Sequence, residues 1–170
     1  MKILVISDTH GKTTNVKTAI NIENPDKIYH LGDAQGDELG ISYMSDAPLD
    51  LVCGNCDYMG QLPQCLVLEV GRHVLFLAHG HMYGVDYSLE NIRSAARSRG
   101  ADMILHGHTH RPGIDYSNPN EIVACPGSIS YPRQESKEHT YLVIDVDRDG
   151  ELRLNLHSIE EYERKQKQNR

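Results

Sequence analysis

Cys65-Leu66-Val67-Leu68-Glu69-Val70-Gly71-Arg72-His73-Val74-Leu75-Phe76-Leu77-Ala78 reads as two strand-like apolar runs joined by two residues. Such a pattern is an antiparallel hairpin. Its surroundings read differently. Lys2–Ser7 is a continuous apolar strand, followed by a helix that Thr13 or Thr14 can cap and in which Val16, Ala19 and Ile20 recur at helical spacing. Asn24-Pro25-Asp26 stops that helix, and Lys27–Leu31 is the next strand. A short helix within residues 37–46, a third strand at Leu49–Cys53 and a polar loop over residues 54–64 lead into the hairpin.

Beyond the hairpin, Ser88 starts a helix through Ile92, Ala95 and Ala96 that Gly100 ends. Asp102–Leu105 is then a short buried strand. Ile122–Cys125, Tyr141–Val146 and Leu152–Leu156 are strands, the last two linked by a turn at Asp147-Arg148-Asp149-Gly150. β-α-β units interleaved with antiparallel hairpins predict an α/β fold of two facing mixed β-sheets flanked by helices. Residues 1–157 are expected to form one domain. Residues 158–170, dense in Glu, Lys, Gln and Arg, read as a polar C-terminal helix or tail.

The chain has 170 residues, 39% apolar and 24% charged. That length suits one hydrophobic core. No stretch approaches the roughly 18 consecutive apolar residues of a membrane span, and Met1–Ile6 is too short for a signal segment. The default expectation is a cytoplasmic protein without a membrane partner. A net charge of −7 supplies no global basic field, so nucleic acid is not favoured as a substrate, although local metal charge leaves it open. Four irregularly spaced cysteines do not make a disulfide framework. Cys53-Gly54-Asn55-Cys56 spells C-x-x-C, but its Gly, Asn and Asp neighbours mark a loop instead of the helix start a redox pair requires.

Five polar clusters follow apolar runs: Asp8-Thr9-His10, Gly32-Asp33, Gly54-Asn55-Cys56-Asp57, His79-Gly80-His81 and Gly107-His108-Thr109-His110. Carboxylates, amides and imidazoles gathered at strand ends cost folding free energy unless something pairs with them, and cations are suitable partners. In extended backbone, Asp8 and His10 would leave the same face, and His108 and His110 repeat the i, i+2 spacing. Asp33 can bridge two cations, because a carboxylate offers two oxygens.

The ordered set D-x-H, G-D, G-N-x-D, H-G-H, G-H-T-H resembles the calcineurin-like metallophosphoesterase superfamily, and within it the small YfcE-like phosphodiesterase branch. The likeness runs from Met1 to about the last strand and takes in Cys125-Pro126-Gly127-Ser128-Ile129-Ser130. The resemblance implies a four-layer αββα sandwich and two divalent metal ions. Asp8, His10 and His110 would hold the first, Asp33 would be shared, and Asn55, His79 and His108 would complete the second. An O and N ligand set suits manganese first, with iron, zinc or nickel as alternatives. The implied activity is hydrolysis of a small phosphodiester by a hydroxide activated between the metals. A non-catalytic scaffold like the retromer's phosphoesterase-like subunit and a nuclease of the same superfamily are the alternatives. Oligomeric state is not specified, and a homo-oligomer is compatible with the sequence.

One position departs from the pattern. Many relatives carry a histidine where this chain has Cys56, and a thiol cannot copy an imidazolium. His81 is the candidate replacement as proton donor, and Asp57 is either an orienting carboxylate or a loop cap. Activated diesters such as aryl esters are therefore the expected substrates in an assay. His30 reads as a core or supporting residue, and His106 as packing or as an orienting partner of His108 or Asp33. Arg111 and Arg133 are candidate phosphate clamps.

Overall fold

Ile3 and Val5 point one way from the first strand while Leu4 and Ile6 point the other, and all four are fully buried. The computed structural model, which describes residues 1–58 and 62–168, shows why the run is apolar throughout. Ile3 and Val5 join Leu75, Leu77, Met103 and Leu105 in a core between two sheets. Leu4 and Ile6 join Val16, Ala19, Ile20 and Ile159 in a core between a sheet and its covering helices. A strand buried on both faces has no polar side to alternate with.

The first sheet holds β1 (Lys2–Ile6), β2 (Lys27–His30), β3 (Leu49–Leu51) and, nearer the C-terminus, two strands antiparallel to each other. The second holds β4 (Cys65–Val70), β5 (His73–Ala78), β6 (Met103–His106), β7 (Pro112–Asp115) and β8 (Ile122–Pro126). With β9 (Thr140–Val146) and β10 (Leu152–Ser158), the strand orders are β10-β9-β1-β2-β3 and β4-β5-β6-β8-β7. Both sheets are mixed: β1, β2 and β3 run parallel, as do β5, β6 and β8, while β9, β4 and β7 pair antiparallel to their neighbours. The β4–β5 hairpin closes with Val70 opposite His73 across Gly71-Arg72, as its sequence predicts.

Helices cover the outer faces. α1 (Thr14–Glu23) buries Val16, Ala19 and Ile20 and ends at Asn24, whose left-handed φ of 44° lets its amide bond the Ile20 carbonyl. Thr13 stands at the N-cap position but makes no side-chain cap bond. α2 (Glu38–Ser42) is short and buries Ile41. α3 (Glu90–Arg97) lays Ile92 and Ala96 against Phe76, Ile104 and Val123 of the second sheet. α4 (Ile159–Gln168) occupies part of the polar C-terminal segment and anchors through Ile159.

Pro112–Asp115 is a strand that the periodicity does not announce. Pro112 and Gly113 are poor strand residues, and β7 tolerates them because it is an edge strand. The loop read over residues 54–64 includes 59–61, and the tail read to residue 170 includes 169–170; these positions lie outside the described residues. Among the described residues no helix is long and apolar enough to cross a membrane.

Candidate metal centre

The C-terminal ends of β1, β2, β3, β5 and β6 each release one of the five polar clusters, so the topology gathers them on one rim. Backbone bonds sew the loops together. The Asp8 amide donates to the Gly32 carbonyl (3.0 Å), the His10 amide to the Asp33 carbonyl (2.9 Å) and the Gly107 amide to the His79 carbonyl (3.0 Å). Ser128 Oγ donates to the Asp8 carbonyl at 2.8 Å and accepts the Tyr131 amide at 2.7 Å, tying the segment after β8 to the loop after β1. Two glycines permit the approach. A Cβ on Gly54 would collide with Asp33, and one on Gly107 with Ser7 Oγ.

Convergence is not achieved by extended backbone. Asp8, His10, Asp33, His108 and His110 all have left-handed φ values of 57°, 46°, 59°, 69° and 57°. The i, i+2 pairs expected on one face of an extended segment instead have left-handed backbone at both members of each pair, which corrects that reading. Each such residue costs about 1 kcal/mol or more, so five together consume a sizeable part of a domain's usual net stability. Strain of this kind persists where the surrounding bonds over-determine it, as the loop-to-loop amide bonds do here.

The side chains present acceptors to one another. His79 Nδ1 donates to the Leu31 carbonyl (2.7 Å) and His110 Nδ1 to the Tyr131 carbonyl (2.6 Å). With Nδ1 engaged by a carbonyl, each ring directs its Nε2 to the centre. His110 Nε2 lies 3.2 Å from Asp8 Oδ1 and 3.3 Å from His10 Nε2. His79 Nε2 lies 3.4 Å from Asp33 Oδ2 and 3.1 Å from Asn55 Oδ1. Asp8 Oδ1 is buried and makes no hydrogen bond. A buried carboxylate oxygen without a hydrogen bond, crowded by imidazole nitrogens, costs folding free energy, and a cation would satisfy all of these groups at once. The donor set thus fits divalent metal. Among the described residues, three clusters have ligand atoms close enough to share an ion: Asp8, His10 and His110; Asp8, Asp33 and His79; and His10, Asp33 and Cys56.

The electrostatics agree with that donor set. Burial works to raise the Asp33 pKa, but the bond and charge of His79 and the Cys56 amide outweigh it and hold the carboxyl below the usual range. Asp8 behaves alike: burial raises it, and His110 and His79 bring it down. For His79, burial opposes the charged form, yet the facing Asp33 and Asp8 carboxylates lift its pKa overall. Both carboxylates are consequently ionised at neutral pH, as metal ligation requires.

His108 stands differently from the other six expected ligands. Its ring lies 5.1 Å from that of His79, but its Nε2 is held by Asp86 Oδ2 at 2.8 Å, and its amide bonds Asp8 Oδ2 at 3.1 Å. Asp86 was not legible in the sequence because a lone aspartate after a turn carries no pattern. Asp57 touches backbone, not histidine: it accepts the amides of Asp33 (2.8 Å), Gly54 (2.8 Å) and Gln35 (2.7 Å). Of its two readings, loop cap is the one the structure shows. His81 lies 5.4 Å from His79 ring to ring, and burial plus the charges of His79 and His108 lower its pKa, which depletes the imidazolium a proton donor needs.

Cys56 is exposed and free. Its amide donates to Asp33 Oδ1 at 2.8 Å, and burial of the sulfur together with the Asp33 charge raises the thiol pKa, so it stays neutral. The Cys53–Cys56 segment lies in a loop, without a disulfide. His30 is fully buried; it accepts the Gly32 amide on Nδ1, which leaves Nε2–H to donate to Thr9 Oγ (3.1 Å). His106 bonds the adjacent Gly107 carbonyl through Nδ1, a packing contact.

A family model described as the calcineurin-like phosphoesterase superfamily domain matches residues 1–149. The chain belongs to the calcineurin-like phosphoesterase superfamily. It is 32% identical over 152 residues to the probable metallophosphoesterase YsnB of Bacillus subtilis, covering 88% of this chain and 87% of that one. A crystal structure of a predicted phosphoesterase from Streptococcus pneumoniae superposes with a TM-score of 0.78 at 26% identity, over 92% of this chain and 88% of its own. Vps29 of Entamoeba histolytica, crystallised with Zn2+, superposes with a TM-score of 0.74 at 18% identity over 93% and 99%, a likeness of fold. Divalent-metal phosphoester hydrolysis is the activity class this family and donor set support.

Proposed function

We propose that the protein is a phosphodiesterase working with two divalent metal ions, manganese first among them. The observation that carries this reading is the position of Asp33: its Oδ2 lies 3.6 Å from His10 Nε2 and 3.4 Å from His79 Nε2. One carboxylate thus stands between two imidazoles that belong to different ligand sets, as a bridging ligand should. Asp8, His10 and His110 would hold one ion, and Asn55, His79 and His108 the other. When bound, such a pair supplies an acidified water as nucleophile and positive charge against the phosphoryl oxygens.

The chain's own residues supply the rest. Carbonyls of Leu31 and Tyr131 set the tautomers of His79 and His110, and Asp86 fixes His108, so the ligand nitrogens are oriented before substrate arrives. Asp57 and Ser128 hold the loops that carry Asp33 and Asp8. The neutral Cys56 thiol is a weak donor, so a leaving group that departs as a stable anion is favoured over an alkoxide. Small activated phosphodiesters are accordingly the proposed substrates, and a diester leaves a phosphomonoester and an alcohol or phenol.

The test is a screen of manganese-loaded protein against phosphomonoesters, phosphodiesters and cyclic nucleotides, with metal content measured on the same sample. Preference for diesters supports the proposal. Preference for monoesters overturns the diester assignment, and inactivity of metal-loaded protein on every ester favours the scaffold alternative.

A further inference from the structure

Beside the candidate ligands His10 and His110 opens a cleft of about 780 Å³, lined also by Tyr131, Arg133 and Lys137. That volume lies within the range of small-molecule sites. The cleft is joined to the centre through backbone, since the Arg133 amide donates to the His110 carbonyl (3.0 Å) and the Tyr131 carbonyl accepts from His110 Nδ1. Tyr131 is 41% exposed and stands edge-on to His10, with ring centroids 5.6 Å apart. Lys12 Nζ lies 4.6 Å from the Tyr131 ring centroid.

The charge here runs against the charge of the molecule. The chain carries −7 overall, yet Lys12, Arg133 and Lys137 form no ion pair with any carboxylate among the described residues. Arg133 and Lys137 line the cleft and Lys12 stands over the Tyr131 ring beside it, so three cations without a carboxylate partner gather next to the candidate centre and make a local site for an anion. A half-exposed tyrosine among them offers a face to a planar ring.

Resting on the phosphodiesterase reading, we infer that this cleft is a subsite for a nucleotide arm of the substrate: a planar base against Tyr131 and a second phosphate between Arg133 and Lys137, with the scissile phosphate at His10 and His110. Arg133 and Lys137 provide charge-assisted hydrogen bonds to that second phosphate. Lys12 adds charge beside the base. The protein then selects phosphodiesters that carry a further anionic group over minimal diesters.

Three substrates with the same 4-nitrophenolate leaving group separate these elements: methyl 4-nitrophenyl phosphate, thymidine 5′-(4-nitrophenyl phosphate), and the latter bearing a 3′-phosphate. Each addition should raise kcat/KM by about tenfold, mainly through KM, the size expected for about one good contact. In Arg133→Ala/Lys137→Ala the gain from the 3′-phosphate should disappear, and in Tyr131→Ala the gain from the nucleoside should disappear. Equal kcat/KM on all three in the wild-type protein, or gains that survive in the variants, overturns the subsite while leaving the phosphodiesterase standing. If no diester is hydrolysed, the phosphodiesterase fails, and calorimetry of thymidine 3′,5′-bisphosphate on the manganese-loaded protein decides the subsite. Binding about tenfold tighter than thymidine 5′-phosphate, lost in the double variant, upholds it; equal binding overturns it.

Discussion

His79 Nδ1 and the Leu31 carbonyl lie 2.7 Å apart, so a side chain released by β5 of the second sheet is bonded to backbone at the end of β2 in the first. This bond joins the sheets at the centre and turns His79 Nε2 toward Asp33 and Asn55. It requires close packing against Gly32, where a Cβ would stand 2.7 Å from His79 Nδ1 and the φ is +98°. Gly32→Ala should therefore displace His79, lower manganese affinity by about tenfold or more and destabilise the metal-free protein by about 1–3 kcal/mol. Isothermal calorimetry and urea denaturation measure the two effects. Wild-type affinity in this variant would show that the His79–Leu31 bond does not position a ligand.

Asp57 accepts three backbone amides from two loops. Asp57→Ala leaves buried donors without acceptors, at a cost of about 3 kcal/mol in unfolding free energy. Metal affinity should fall with it, because Asp33 is carried on one of those loops. A variant of unchanged stability but much reduced kcat would instead place Asp57 in contact with the reacting groups.

Asp86 is half exposed and bonds His108 Nε2. Asp86→Asn should leave the stability of the metal-free protein within about 0.5 kcal/mol, since surface substitutions of this kind cost little, while divalent-metal affinity drops by about tenfold. Competition with a chromophoric chelator reads the affinity. Unchanged affinity would mean that His108 needs no orientation from Asp86.

His30 gives a pH dependence with a defined sign. Burial pushes its pKa down to about 4 despite the opposing charges of Asp8 and Asp57, against 6.5 for a solvent-exposed imidazole. Between those values the unfolded chain binds a proton that the folded chain does not, so stability is present above pH 6.5 and is lost as pH falls toward 4. The slope is about 1.4 kcal/mol per pH unit for one proton, or about 3 kcal/mol across the window. His30→Gln should flatten the wild-type curve of metal-free protein by one proton over this range, as chemical denaturation at successive pH values will show. Parallel curves for the two proteins would contradict the assignment of a neutral buried His30.

Much of this architecture is legible because apolar runs and turn residues are local signals. The hairpin across Gly71-Arg72 and the helix ended by Asn24 appear where periodicity places them. β7 is hidden because Pro112 and Gly113 suit only an edge, and edge position depends on the tertiary fold. The clusters were readable as a group, since Asp8, His10, Asp33, Asn55, His79 and His110 are brought together. How they meet was not: left-handed φ at Asp8, His10, Asp33, His108 and His110 depends on amide bonds from distant loops. For the same reason Asp86 and Ser128, which act on residues 22 and 120 positions away, left no mark in the local sequence.

Whether Asp33 bridges two ions is read from a manganese titration of metal-free protein followed by calorimetry and electron paramagnetic resonance. The wild-type chain should bind two ions with a spin-coupled signal, and Asp33→Asn should lose the coupling together with metal content and diester turnover. A single uncoupled ion in the wild-type protein, or a coupled pair with normal turnover in Asp33→Asn, would contradict the bridging role.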